Sequence, residues 1–145
     1  MKKFLIRFIL ISYIGILSAC NIGQRFGPED THIPDPAVLA GEWLAVIDIG
    51  RIYFTVMPEG TTITDVSCGI WENGANMVGL EHNGPIDISD FTADAYIAGY
   101  GPDLSLHFEF NAEGESGLVS WEYYEYDQEG RKLAAKGSNE MSKVK

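Results

Sequence analysis

An antiparallel all-β fold, a small β-sandwich or β-barrel, is predicted by three observations. From Val38 to about Gly137 the chain is a succession of short β-branched or alternating segments separated by Gly, Asn, Asp and Pro. Within Leu104–Phe110, residues Leu104, Leu106, Phe108 and Phe110 alternate with Ser105, His107 and Glu109, the period of a strand with one buried face. Finally, between the turns of that stretch no helix of three turns finds room.

The predicted strands follow in order as Gly41–Ile47, Arg51–Met57, Thr61–Trp71, Ala75–His82, Pro85–Ser89, Phe91–Ala98, Leu104–Asn111, Gly117–Tyr126 and Arg131–Lys136. Between them, Pro58-Glu59-Gly60, Glu72-Asn73-Gly74, Asn83-Gly84, Gly101-Pro102-Asp103, Glu113-Gly114 and Glu129-Gly130 supply turns, because Gly reaches positive φ freely and Asn or Asp tolerates it. In Arg51–Met57 the core row is Ile52, Phe54 and Val56. The opposite row, Tyr53, Thr55 and Met57, is apolar for an exposed face and is expected to pack beneath a loop, with a contact surface as the alternative. Phe91–Ala98 is the segment that would also suit a helical turn, since it contains Ala93, Ala95 and Ala98.

Ahead of the domain, Lys2, Lys3 and Arg7 precede the apolar run Phe8 to Leu17, which ends in Leu17-Ser18-Ala19-Cys20. A basic start, a short apolar stretch and small residues at its end are the anatomy of an export signal. The run is shorter than the roughly 20 residues a spanning helix needs and contains Ser12 and Gly15. Leu17-Ser18-Ala19-Cys20 resembles the lipobox of bacterial lipoproteins. That resemblance implies cleavage after Ala19, a diacylglyceryl thioether on Cys20, and a bilayer partner reached through the acylated residue. Asn21, which is not aspartate, implies by the same resemblance the outer rather than the inner membrane of a Gram-negative envelope.

The expected organisation is therefore a signal peptide over residues 1–19, a lipidated tether over 20–37, a β domain over 38–140 and a C-terminal tail over 141–145. Gly23, Gly27, Pro28, Pro34 and Pro36 make the tether coil, and a chain of that length spans about 20 Å root-mean-square. His32 lies within it.

Formal charge falls from −11 for the whole chain to −14 once Lys2, Lys3 and Arg7 are removed. So acidic a surface, with basic residues mostly near the C-terminus, argues against nucleic acid and toward a cationic partner or plain solubility. With Cys20 acylated, Cys68 is the single remaining thiol, which leaves no intramolecular disulfide. Flanked by strand residues, it is expected to be a small buried hydrophobe.

The order Gly41-Glu42-Trp43, Phe54-Thr55-Val56, Ile63-Thr64-Asp65-Val66, Cys68-Gly69, Pro85-Ile86, Phe91, Phe108-Glu109-Phe110 and Gly117 through Trp121 resembles a small all-β domain of exported and surface bacterial proteins. The Gly-x-Trp opening is also similar to lipocalins, in which the Trp plugs one end of an eight-stranded barrel. That similarity implies a carrier of a small apolar ligand as the alternative function.

Chemistry-bearing constellations are sparse. His82, Asp87, Asp90, Asp94 and His107 fall near one another, but without the close fixed spacing of a zinc site or the glycine of an EF-hand loop, so no metal or other cofactor is expected. Ser67-Cys68-Gly69 and Gly117-Leu118-Val119-Ser120 lack the Gly-x-Ser-x-Gly elbow, and no feature selects one carboxylate pair, such as Glu109 and Glu122, for glycoside cleavage. A non-enzymatic role is expected. The best binding candidate is Trp121–Asp127, where alternation places Glu122, Tyr124 and Tyr126 on one face. Rings beside carboxylates suit a sugar or a basic protein, while the competing reading makes them cross-strand pairs stabilising the last hairpin.

Overall fold

The computed structural model describes residues 34–72, 76–82, 84–99 and 102–144. The expected export signal, Cys20 and the expected tether as far as residue 33 lie outside the described residues. Among the described residues nine strands form: β1 (Gly41–Ile47), β2 (Gly50–Val56), β3 (Thr62–Glu72), β4 (Asn76–His82), β5 (Ile86–Asp87), β6 (Thr92–Ala98), β7 (Asp103–Phe110), β8 (Ser116–Asp127) and β9 (Gly130–Lys143). They make one antiparallel sheet in the order β4-β3-β2-β1-β9-β8-β7-β6, with β5 paired to β3. Each strand except β5 follows its neighbour in a meander, and β9 returns to β1, so the sheet curls nearly into an up-and-down barrel. Phe91–Ala98, the segment open to a helical reading, is strand from Thr92.

Alternation builds the interior. Ile52, Phe54 and Val56 from β2, Leu104, Leu106, Phe108 and Phe110 from β7, and Val119 and Trp121 from β8 are all buried. At the end of the barrel where β1 begins, Trp43 stacks on Phe54, with ring centroids 6.1 Å apart, and meets the edge of Phe110 at 5.0 Å. Phe54 also packs on Phe108 at 4.7 Å. Fully burying a large side chain of this kind contributes about 1.5–3 kcal/mol, so this aromatic group anchors the fold.

A 3-10 turn, Pro36–Leu39, closes that end. Asp35 caps it through its carboxylate, which accepts from the Ala37 N–H at 3.0 Å, and Pro36 suits the first helical position. Leu39 is buried, and its carbonyl accepts the Trp43 indole N–H at 2.9 Å. Two glycines at positive φ, Gly60 and Gly114, let the β2–β3 and β7–β8 turns press onto the Pro36 and Val38 carbonyls. A Cβ at either position would overlap those oxygens. Asp35, Pro36 and Ala37 therefore belong to the folded unit, not to the tether assigned to them from composition.

The C-terminal boundary also moves. β9 continues past Lys136 to Lys143, Met141 is buried, and Lys143 donates to the Val38 carbonyl at 2.6 Å with its ammonium 5.7 Å from the Trp43 ring. Residues 141–143 are thus part of the barrel rather than a tail. Only Met141–Lys143 of β9 pair with β1. Above them Asn139 bridges, accepting from the Trp121 indole at 2.8 Å and donating to Asp48 at 3.4 Å. The rest of that β9 edge carries Lys132, Lys136 and a bulge at Ala134, devices that discourage edge-to-edge pairing.

Two backbone irregularities set local direction. Tyr53 faces Ser67 but Thr55 faces Thr64, so β3 holds one extra residue, and Asp65 takes φ 55° there. The bulge lets Ile63 and Val66, three apart, both point inward. Before β6, Asp90 and Phe91 both have positive φ in a two-residue turn closed by reciprocal Ser89–Thr92 backbone bonds of 2.9 Å.

Tyr53 and Met57 are partly exposed on the outer surface rather than covered by a loop, with the Tyr53 hydroxyl donating to Glu42 at 2.7 Å. Cys68 is 2% exposed, and burial pushes its thiol up to about 12. Maleimide is therefore expected to label Cys68 only after denaturation, since both access and thiolate are lacking. Rapid labelling of the native protein, followed by mass spectrometry, would contradict this burial.

Candidate functional site

The outer face of β6–β9 gathers the polar and aromatic side chains that the core does not use. Direct cross-strand pairing sets them in rows. Asp94, His107, Ser120 and Ser138 form one row, and Tyr96, Ser105, Glu122 and Lys136 the next. Beyond these lie Ala98, Asp103, Tyr124 and Leu133, then Tyr126 opposite Arg131 where the β8–β9 hairpin outruns its neighbours. Because the bulge residue Ala134 belongs to β9, the alternation of β8 is unbroken, and Glu122, Tyr124 and Tyr126 share the outer face as predicted.

The centre of this face is Asp103. Its side chain points outward yet is covered by its neighbours, leaving the residue 2% exposed. The Tyr96 and Tyr126 hydroxyls both donate to its Oδ2 at 2.5 Å, and Arg131 Nε lies 3.3 Å from the same oxygen. Those two phenolic bonds hold the carboxyl below the usual carboxylate range, with the guanidinium acting in the same direction. In return, the bond to Asp103 pushes Tyr126 up to about 12 and raises Tyr96 as well. The Arg131 guanidinium carbon sits 3.5 Å from the Tyr124 ring centroid and 5.6 Å from that of Tyr96. Tyr124 in turn donates to Glu122 at 2.5 Å, a bond that raises its own pKa. One cation is thus held against two rings by a covered anion.

Beside this cluster lies a shallow trough of about 560 Å³, walled by Asp94, His107, Glu122 and Lys136 and floored by Ser105 and Ser120. His107 bridges two acids, with Nδ1 2.7 Å from Asp94 and Nε2 3.3 Å from Glu109. The bond to Asp94 raises its pKa most, which favours the imidazolium. His107 thus lies on the outer face of β7, at the side of this trough.

A second slot, about 450 Å³, runs along the seam where β4 and β6 approach without a ladder, and His82, Asp87 and Asp94 lie on it. Among the described residues no three potential ligand side chains converge on a metal position. Glu109 and Glu122 occupy adjacent strands four residues out of register, roughly 13 Å along the strand, wider than glycosidase carboxylate pairs. At the barrel end opposite Trp43, a hollow of about 270 Å³ is lined by Ile49, Ile70, Val78, Tyr123, Glu125 and Ala135.

Sequence reasoning located Tyr124, Tyr126 and Glu122 but missed Tyr96, Asp103 and Arg131. Asp103 reads as a turn residue after Gly101-Pro102, although it opens β7. The available signal was parity: Asp103 falls in the outward set with Ser105 and His107, and a residue opposite Tyr124 belongs to that tyrosine's surroundings. No protein-family model matches the chain, and a search among curated proteins returns no match.

Proposed function

We propose that this protein is a lipid-anchored, non-enzymatic binding protein of the bacterial envelope, held at the outer membrane by acylated Cys20. In this reading the barrel is a scaffold, and its working surface is the outer face of β6–β9. The observation that carries the reading is the Asp103 cluster: three tyrosines, an arginine and a covered carboxylate assembled outside a core that does not need them. Rings and charges held in fixed orientation on an outer face are the composition of a recognition surface for a protein or glycan.

Changing Tyr124 and Tyr126 together to alanine is expected to weaken partner binding about tenfold to a hundredfold, because rigid aromatics at interface centres carry disproportionate energy. The fold is expected to survive, since neither side chain enters the core. Pull-down from envelope extract, with the two proteins matched by circular dichroism, reads the effect. An unchanged set of captured partners would return the tyrosines to a purely structural role, and unfolding would contradict their assignment to the outer face.

A second reading has one observation in its favour. The hollow lined by Ile49, Ile70, Val78 and Ala135, with Tyr123 and Glu125 as its polar members, would suit a small, mainly apolar ligand in a lipocalin-like carrier. Saturable uptake of an apolar fluorescent probe, abolished by Val78→Trp but not by the tyrosine changes, would favour it.

A further inference from the structure

We propose that Tyr96, Tyr124, Tyr126 and Asp103 form a receptor for a single organic cation, a guanidinium on a basic protein partner, and that Arg131 is its built-in occupant in the free chain. The proposal rests on the binding-surface reading above and names the chemistry that surface selects.

Three features support it. The first is that the site already holds its ligand class: the Arg131 guanidinium lies over Tyr124 and beside Tyr96, with Nε 3.3 Å from Asp103 Oδ2. A flat, weakly hydrated cation stacked on rings and paired to a carboxylate is the arrangement guanidinium favours over ammonium. The second is that Asp103 has bonding partners besides Arg131. Both tyrosine hydroxyls donate to Asp103 independently of it, so removing the arginine leaves an anion whose remaining partners already sit in place. The third is that the occupant's side chain borders solvent. Arg131 follows the β8–β9 turn by one residue, has no strand on its other side, where β9 meets β1 only at Met141–Lys143, and its side chain is 39% exposed. Swinging that side chain out leaves Tyr126 bonded to Asp103.

Electrostatics sets the sign of the partner. A chain of formal charge −11, and −14 without its basic leader, raises the local concentration of cationic partners, and the adjoining trough offers Glu122 and Asp94 as further contacts, set beside Lys136 and His107. A partner arginine competes with a tethered one present at high effective concentration, so it displaces Arg131 only when these neighbouring contacts are made as well. The resident arginine thereby selects basic surfaces against free cations.

The test uses the full chain in detergent, with N-acetyl-arginine amide as probe and the neutral isostere N-acetyl-citrulline amide as control, read by tyrosine ring shifts in NMR. Arg131→Ala is expected to bind the arginine probe roughly tenfold more tightly than wild type does, and roughly tenfold more tightly than it binds citrulline. Adding Asp103→Asn to Arg131→Ala is expected to remove that preference. Should this double variant fold poorly, Arg131→Ala with Tyr124→Leu removes the stacking ring instead and is expected to weaken the arginine probe alone. Equal binding of arginine and citrulline by Arg131→Ala, or binding by wild type as tight as by the variant, would overturn the proposal. If the tyrosine double variant loses its captured partners while Arg131→Ala takes up no arginine, the binding surface stands and the cation receptor falls. If Arg131→Ala selects arginine while the captured partners are unchanged, the receptor stands and the envelope-partner reading falls.

Discussion

Replacing Trp43 by alanine is expected to destabilise the domain by about 3–5 kcal/mol, a large share of the 5–15 kcal/mol that holds a typical domain folded. Trp43 is 0% exposed, and its ring is the meeting point of β1, β2 and β7 through Phe54 and Phe110. Its indole N–H is what the Leu39 carbonyl accepts, so truncation also leaves a buried acceptor of the 3-10 turn without that donor. Lys143 packs above the same ring, which ties the loss to the last turn of β9. Urea titration followed by circular dichroism measures the change. Trp43→Phe keeps most of the packing but not the donor, and is expected to fall between wild type and alanine. A loss below about 1 kcal/mol for Trp43→Ala would show that the barrel end collapses around the gap without difficulty.

The second large effect concerns location. Cys20→Ala is expected to abolish acylation, because the thioether has no other sulfur to form on at that position, and to leave an uncleaved or mislocalised precursor. Labelled fatty acid and membrane fractionation read the result directly. Label still incorporated at wild-type level in the variant would refute the anchor site. The barrel itself is expected to be unaffected, since the folded unit runs from Pro34 to Lys145.

Much of the fold was legible because side-chain parity is a local property. Leu104 to Phe110 announces its buried face from seven consecutive residues, and Gly41–Ile47 matches β1 at both ends. What escaped depends on distant partners or on exceptions to the period. The extra residue at Asp65 cannot be seen until β3 is laid against β2. Gly137, Ser138 and Asn139 have the composition of a turn, yet β9 runs through them because β8 supplies an unbroken ladder opposite. The Asp90-Phe91 turn lacks the Asn-Gly signature of its type. For the candidate site, parity within β8 sufficed for Glu122, Tyr124 and Tyr126, whereas Asp103, Tyr96 and Arg131 meet only through the register of four strands. A chain read one segment at a time does not contain that register.

The pairing of β1 with the last residues of β9 bears on how the molecule is made. Trp43 lies opposite Lys143, and Val38 is tied to that same lysine 105 positions away. A chain released N-terminus first, from a ribosome or through a membrane pore, therefore has two separate meanders and no single sheet until Met141–Lys143 are free. Contacts that span nearly the whole domain form late and slowly, because the loop between them must close first. Until then Trp43 and its aromatic neighbours lack their cover, and the polypeptide stays in the pliable form a narrow pore can pass. Folding is thus timed by the emergence of Met141–Lys143, a clock written into which two strands happen to meet.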